Sequence, residues 1–154
     1  MNDCVFCDIV SRNSPSFPIW ENDEYMAFLS IFPNTPGTTV VIPKLHYSSY
    51  VFDLSENVFM GLIDVARIVS KHLDDAFDDV GRTGMIVEGF GVDHAHVKLY
   101  PMHGTVLATW KKIESQHRTF SKSYEGFLSS HDGPRANDQD LRALMEKIRN
   151  TIKK

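Results

Sequence analysis

Three side chains with chemical capability alternate along one short segment of this 154-residue chain. They are His94, His96 and Lys98, in the sequence His-Ala-His-Val-Lys-Leu-Tyr-Pro. Successive side chains of a β-strand point to opposite faces, so these three would share one face and the apolar residues between them the other. A neutral imidazole is a nucleophile near pH 7. Ionisable groups on one sheet face lower stability unless they have partners, so this segment is a candidate active site.

Cys4 and Cys7 form a second motif, a Cys-x-x-Cys pair. This spacing lets two thiolates reach one tetrahedral metal ion, and it also occurs in redox-active thiol pairs. A redox pair is expected after a strand and at the start of a helix, and no strand is predicted before Cys4. Zinc would need two further ligands, for which His46 and His94 are candidates. Two unrelated reduced cysteines remain an open alternative.

Short strands and one long helix must position these motifs. Strands are predicted at Ile19–Trp20, Tyr25–Leu29 and Thr38–Ile42, the first two joined by a turn at Asn22-Asp23. A long helix is predicted over Val58–Leu73, because apolar residues recur there every three or four positions. The candidates for the N-cap of this helix are Asp53 and Ser55.

The second half of the chain is predicted to hold a hairpin and a closing helix. The hairpin would pair Met85–Glu88 with His94–Tyr100 around Gly89-Phe90-Gly91. Beyond it we predict a short helix over Trp110–His117, a loop over Ser129–Pro134 and a last helix from Asn137. One face of this last helix is apolar: Leu141, Leu144, Met145, Ile148 and Ile152. Runs of strands with covering helices indicate an α+β fold, with an antiparallel sheet, a long helix packed on it and a C-terminal helix.

Length and charge limit the domain count and the partners. A chain of this length buries roughly 68–70% of its unfolded surface, whereas two halves of about 75 residues would each be marginal. We therefore predict a single domain. Sixteen basic and twenty acidic residues give a net charge of −4. This argues against bulk nucleic acid as a partner but leaves a single nucleotide open.

The sequence also bears on the cellular compartment. No apolar run approaches the ~20 residues that a membrane-spanning helix needs, and the N-terminus lacks the basic start and apolar stretch of a signal peptide. We therefore predict a cytoplasmic protein without a membrane partner. In that compartment the two cysteines are expected to stay reduced or to bind a metal ion.

The motifs together resemble the histidine triad (HIT) family of nucleotide hydrolases and transferases. That family is marked by three histidines alternating with apolar residues. The resemblance covers about residues 4–103 and includes further segments in the family's order: Cys4–Cys7, Phe17-Pro18, Glu21–Phe28, Pro36-Gly37, Val41–Lys44 and His46. We therefore predict one HIT-like domain over residues 1–154, with its core at 4–103 and a C-terminal extension at 104–154.

The resemblance implies roles for individual residues. His96 would attack the α-phosphorus of a nucleotide, and water would hydrolyse the covalent nucleotidyl-histidine. A structural zinc ion would be held by Cys4, Cys7, His46 and His94. An apolar purine pocket would map onto Phe6, Ile9, Phe17, Phe28, Ser30 and Ile31.

The chain departs from the family pattern at three places. Lys98 replaces the third histidine, Ser30 replaces an acidic residue that holds the ribose in many members, and the glycine-rich loop is shortened to Gly89–Asp93. A lysine beside His96 would lower the pKa of the imidazole and could donate to a phosphate oxygen. It cannot easily shuttle protons near neutrality, because its reference pKa is ~10.4. His103, just past the strand, is a candidate for contact with the phosphate, and the alternative is a plain loop residue.

The resemblance implies a hydrolase of purine nucleotide derivatives, either dinucleoside polyphosphates such as diadenosine tetraphosphate or nucleoside phosphoramidates. One alternative is a nucleotidyl transferase or phosphorylase, in which the same adduct passes to phosphate. Another is a nucleotide-binding protein with little turnover, which the three departures favour. A homodimer is also implied, through the helix at Val58–Leu73 and the strand at Met85–Glu88, because a bare sheet edge invites pairing.

Overall fold

A five-stranded antiparallel sheet forms the centre of the computed structural model, which describes residues 4–113, 122–124 and 134–152. The strands lie in the order β1-β2-β3-β5-β4. Their bounds are β1 Pro18–Glu21, β2 Tyr25–Leu29, β3 Thr39–Pro43, β4 Thr83–Ile86 and β5 Val97–Pro101. The predicted α+β fold with an antiparallel sheet is therefore confirmed.

Three helices accompany this sheet in the described part of the chain: α1 Val5–Val10, α2 Glu56–Ala76 and α3 Asp138–Ile152. Ser55 is the N-cap of α2, whereas Asp53 ends a short 3₁₀ turn before it. Asn137 caps α3, because its Oδ1 accepts hydrogen bonds from the backbone N–H groups of Gln139 and Asp140. The sequence pattern does not indicate α1, because its six residues are too few for a helical period to show.

Alternating side chains of the strands build two cores. On one face α2 and α3 pack against the sheet, and Ala95, Val97 and Leu99 point into this core. On the other face Phe6 and Ile9 of α1 pack with a second set of strand residues: Met26, Phe28, Val40 and Ile42. Because both faces are covered, every residue of β2 and β3 is buried. The predicted alternation around the two histidines is confirmed.

The segment between β4 and β5 differs from the predicted hairpin around Gly89-Phe90-Gly91. Ile86 pairs with Lys98, and the chain between Ile86 and Val97 belongs to neither strand. Within it the backbone N–H of Ala95 donates to the carbonyl of Tyr47, in the segment after β3. The histidine segment therefore takes backbone partners from another part of the chain, which the local sequence pattern could not reveal.

Two further expectations concern the C-terminal extension. Trp110–Ile113 is not helical, so the prediction of a helix there is wrong over these residues, and 114–117 lie outside the described residues. Trp110 and Ile113 are exposed, so no core stabilises a helix at this point. Of the predicted loop, only Pro134 is described, and it has no regular structure. No helix in the described ranges is both long and apolar enough to cross a membrane.

Gly61 is the point where α2 meets a long side chain of the sheet. The buried Tyr25 of β2 reaches up to α2, and its hydroxyl donates to the carbonyl of Val58. A Cβ on residue 61 would lie 2.2 Å from this hydroxyl oxygen. The absence of a side chain at Gly61 therefore sets the distance between α2 and the sheet.

We expect Gly61→Ala to lower the free energy of unfolding by about 1–2 kcal/mol, because the overpacking penalty exceeds the gain in helix propensity of ~1 kcal/mol. Urea unfolding measures this loss. Adding Tyr25→Phe removes the clashing oxygen. The double variant should therefore lose less stability than the two single variants lose when their losses are added together. A Gly61→Ala variant as stable as the parent protein would contradict this account of the packing.

Candidate active site and metal site

Two cysteines and two histidines from distant parts of the chain meet beside the histidine segment. Cys4 caps α1 and Cys7 lies one turn further along that helix, so both thiols point to the same side. Cys4 Sγ lies 3.4 Å from His94 Nδ1, and Cys7 Sγ lies 3.4 Å from His46 Nδ1. The four possible ligand atoms all lie within 4.8 Å of one another. This cluster could therefore hold a metal ion.

The tautomer of His94 fits metal binding. Its Nε2–H donates to the carbonyl of Pro43 at 2.8 Å, which leaves the lone pair of Nδ1 directed at the two sulfur atoms. A ligand histidine commonly holds its other ring nitrogen in this way, and the second bond fixes the ring. Burial lowers the pKa of His94, which favours the neutral imidazole that a metal ion requires.

The pKa of Cys7 differs from that of a reactive thiol. Burial, followed by the hydrogen bond and the charge of Cys4, raises the pKa of Cys7 to about 11. Reactive cysteines work as thiolates and have lowered pKa values. Of the alternatives left open by the sequence, a metal site agrees best with this geometry.

The imidazole of His96 is held in one tautomer. Its Nδ1–H donates to the carbonyl of His94 at 2.7 Å, so the Nε2 atom carries a lone pair. The residue is 2% exposed, and the rings of His96 and Phe6 pack in a T-shaped arrangement with centroids 5.5 Å apart. Burial is the largest cause that lowers the pKa of His96, and the charge of Lys98 lowers it further. The result is a neutral imidazole with one nucleophilic nitrogen.

A mostly apolar pocket of about 320 Å³ opens beside His96. The predicted residues Phe6, Ile9 and Phe28 line it, together with Ser30 and Ile31. Ser30 Oγ accepts the backbone N–H of Phe32, so its hydroxyl keeps its own proton and one lone pair for a ligand. The pocket also has lining residues that the sequence analysis missed: Val5, Pro15, Ser16, Leu29, Phe32, Val40, Gly91 and Val92.

Phe17 lies on the other side of the sheet, and its assignment to the pocket is corrected. Its side chain belongs to the core under α2 and α3, and the guanidinium of Arg142 lies 5.5 Å from its ring centroid. Successive residues of an extended chain point to opposite faces. Ser16 therefore lines the pocket, while Phe17 points away from it.

Lys98 lines the same pocket as His96. Its Nζ lies 3.7 Å from a carboxylate oxygen of Glu88, and both side chains are mostly buried. Residues two apart on a strand are roughly 6.5–7 Å apart on one face. The ammonium is thus close enough to contact a group bound at His96. No local sequence pattern indicated the pairing with Glu88.

Both ring nitrogens of His103 have partners outside the pocket, and its assignment to the phosphate site is corrected. Its Nδ1 lies 3.0 Å from the Asp79 carboxylate and its Nε2 lies 3.0 Å from the carbonyl of Pro36. It is not among the described residues that line the pocket. The His103 bond is the largest cause that lowers the pKa of Asp79. After β5 the chain turns at Gly104 (φ +73°), and His103 joins this turn to two neighbouring loops.

These features define an α+β protein that carries a buried histidine and a Cys/His cluster beside the face of its sheet that α1 covers. A family model described as "HIT domain" matches residues 11–118. The chain therefore belongs to the HIT family, as the resemblance in its sequence implied.

Individual relatives agree with this membership. An uncharacterised HIT-like protein of Saccharolobus solfataricus is 31% identical over 71% of this chain and 76% of its own length. The adenosine 5'-monophosphoramidase HNT1 of Saccharomyces cerevisiae is 26% identical over 84% of each chain. The fold matches the crystal structure of a Zn-bound histidine triad family protein from Mycobacterium smegmatis, with a TM-score of 0.71 at 21% identity, covering 98% of this chain and 94% of that one.

Proposed function

We propose that this protein is a HIT-family hydrolase that cleaves a bond at the α-phosphate of a purine nucleotide derivative. The observation that carries the proposal is the state of His96. Its Nδ1–H bond to the carbonyl of His94 leaves Nε2 unprotonated, and the side chain lines an apolar pocket next to a lysine. Phosphoryl transfer needs mainly a positioned nucleophile and stabilised charge, and these residues provide both.

The reaction proceeds in two displacements at phosphorus. The Nε2 lone pair of His96 forms a bond to the α-phosphorus, and the leaving group departs with the bonding electrons and is protonated by solvent. Water then attacks the same phosphorus, the N–P bond breaks, and the nucleotide and a proton are released. Lys98 stabilises the charge on the non-bridging oxygens as a point charge. Its high reference pKa makes it unsuitable as a proton shuttle.

The first substrate class that we propose is the nucleoside phosphoramidates. The yeast relative is an adenosine 5'-monophosphoramidase, and the apolar walls of the pocket suit a purine base. Dinucleoside polyphosphates, including diadenosine tetraphosphate, are the second class, because the same attack on an α-phosphorus cleaves them. A nucleotidyl transferase or phosphorylase and a binding protein with little turnover remain the alternatives. The cytoplasmic location stays a prediction, as does the single domain.

We further propose that the Cys/His cluster holds a structural zinc ion. Its ligands would be Cys4, Cys7, His46 and His94, two sulfur and two nitrogen atoms, which is a common set in closed zinc sites. Such an ion would fasten α1 to the segment that carries His96. With all four positions filled by the protein, it would have no open position for substrate, so its role would be structural.

A homodimer is proposed on the basis of exposed apolar side chains. Met60 on α2 is 56% exposed, Met85 on β4 is 51% exposed, and Phe52 before α2 is 72% exposed. β4 is an edge strand with one partner among the described strands. Edges and apolar surfaces of this kind are usually covered. The elements are those that the sequence analysis expected, with β4 two residues earlier.

Replacing His96 with Asn should lower turnover of adenosine phosphoramidate by at least about a thousandfold, because an amide side chain cannot form the adduct. Mass spectrometry after brief incubation and an acid-free quench should show an adenylyl group on His96 in the parent protein. His72→Gln on α2 is the matched control and should leave turnover unchanged. Full activity in the His96→Asn variant would contradict the proposal.

The same experiment separates the alternatives. Adduct formation with release of AMP supports the hydrolase, whereas an adduct that passes to added phosphate and yields ADP supports the phosphorylase. Nucleotide binding without adduct or product supports the binding protein.

Elemental analysis of protein purified without added metal should return about one zinc ion per chain. Removing the ion with a chelator should lower the melting temperature, and adding zinc should restore it, because ligand binding to the folded state is stabilising. Cys7→Ser should lower both the zinc content and the melting temperature. Metal-free protein with an unchanged melting temperature would contradict the zinc proposal.

The dimer can be tested by analytical ultracentrifugation at micromolar concentration, where we expect twice the mass of one chain. Met60→Asp introduces a charge into the proposed interface and should shift the mass toward the monomer. Ile113→Asp, at another exposed apolar residue, is the matched control and should leave the dimer intact. A parent protein that stays monomeric would refute this assignment.

A further inference from the structure

A carboxylate connects the lysine of the pocket to the C-terminal extension. Lys98 Nζ lies 3.7 Å from Oε1 of Glu88. The other oxygen of the same carboxylate, Oε2, accepts a hydrogen bond from the hydroxyl of Tyr124. Tyr124 belongs to the short described stretch 122–124. One carboxylate therefore has a separate partner at each oxygen, and the two partners come from separate parts of the chain.

The loop that carries Glu88 is held on two sides. The ring of Tyr124 packs against Phe90, with centroids 5.5 Å apart and an interplanar angle of 32°. Between Glu88 and Phe90, Gly89 has a φ of +79°, and a Cβ at this residue would lie 2.7 Å from the carbonyl oxygen of Ser49. The loop thus lies directly on the backbone at Ser49, while its neighbouring side chains contact Tyr124. The positive φ of Gly89 and its close approach to the backbone of Ser49 together fix the position of Glu88.

The ion pair between Lys98 and Glu88 is mostly buried, which strengthens the attraction between the two charges. The side chains of Lys98 and Glu88 are only 15% and 12% exposed, so solvent screens their attraction less than at the surface. A lysine ammonium is a point charge on a flexible stem, and its direction must come from its neighbours. Because it has three N–H donors, it can contact Glu88 and a phosphate oxygen at the same time. The hydrogen bond from Tyr124 orients the carboxylate that directs it.

We propose that Glu88 and Tyr124 are positioning residues that direct the Lys98 ammonium toward the phosphate group bound at His96. This inference rests on the proposed function and adds the C-terminal extension to the site. The lysine replaces the third histidine of the family pattern, and Glu88 with Tyr124 gives it a fixed direction. The arrangement favours ligands with an anionic phosphate group at this point over uncharged nucleosides.

The test uses Tyr124→Phe, which keeps the ring against Phe90 and removes only the hydroxyl. We expect its affinity for AMP to fall about three- to tenfold, with its affinity for adenosine unchanged. This is less than the roughly 10- to 150-fold of a direct hydrogen bond to a charged group, because Tyr124 acts on the phosphate only through Glu88 and Lys98. Calorimetry measures both. The kcat for adenosine phosphoramidate should fall by a similar factor. Tyr50→Phe is the matched control, because Tyr50 packs on Phe52 in a comparable exposed ring pair, and it should change neither affinity.

The Lys98→Ala background shows whether Tyr124 acts through the lysine. There the additional Tyr124→Phe change should have no further effect on AMP binding. An effect of the same size in this background would overturn the proposal, and so would an equal loss of adenosine affinity. If the parent protein binds AMP but hydrolyses no phosphoramidate, the proposed hydrolase fails, while the AMP and adenosine comparison still decides the role of Tyr124.

Discussion

His94 makes two hydrogen bonds on which the rest of the site depends. Its ring donates from Nε2 to the carbonyl of Pro43, so that Nδ1 faces the two cysteines. Its own backbone carbonyl accepts the Nδ1–H of His96. The same residue therefore belongs to the Cys/His cluster and fixes the tautomer of the proposed nucleophile. Its fully buried position makes each bond costly to lose, because an unpaired polar group in the interior has no water to replace its partner.

The two-sided sheet explains how this arrangement stays in place. Val97 and Leu99 anchor the strand in the core under α2 and α3, which leaves the opposite side chains for chemistry. Phe6 of α1 contacts the rings of both histidines, with centroids 5.8 Å from His94 and 5.5 Å from His96. A metal ion in the cluster would hold α1 in this position, so the proposed zinc would stabilise the pocket wall without entering the reaction.

The spacing of side chains along the sequence predicts those features of the structure that arise from neighbouring residues. The alternation from His94 to Leu99, the periodicity of α2 and α3, and the α+β class all followed from side-chain spacing. The assignments of Phe17 and His103 were wrong because each rested on order along the chain, and neither the face of Phe17 nor the partners of His103 can be read from order alone. The contacts of Glu88 with Lys98 and Tyr124 join distant segments. No single sequence carries a local signal for such contacts.

The most direct test of this account is the tautomer of His96 at neutral pH. Nitrogen-15 NMR of the histidine rings distinguishes a protonated from an unprotonated ring nitrogen at each site. We expect one stable, neutral form of His96, with the proton on Nδ1 and the lone pair on Nε2, because the carbonyl of His94 accepts the Nδ1–H bond. A His96 ring protonated on Nε2, or exchanging between both forms, would contradict the claim that His94 prepares the nucleophile.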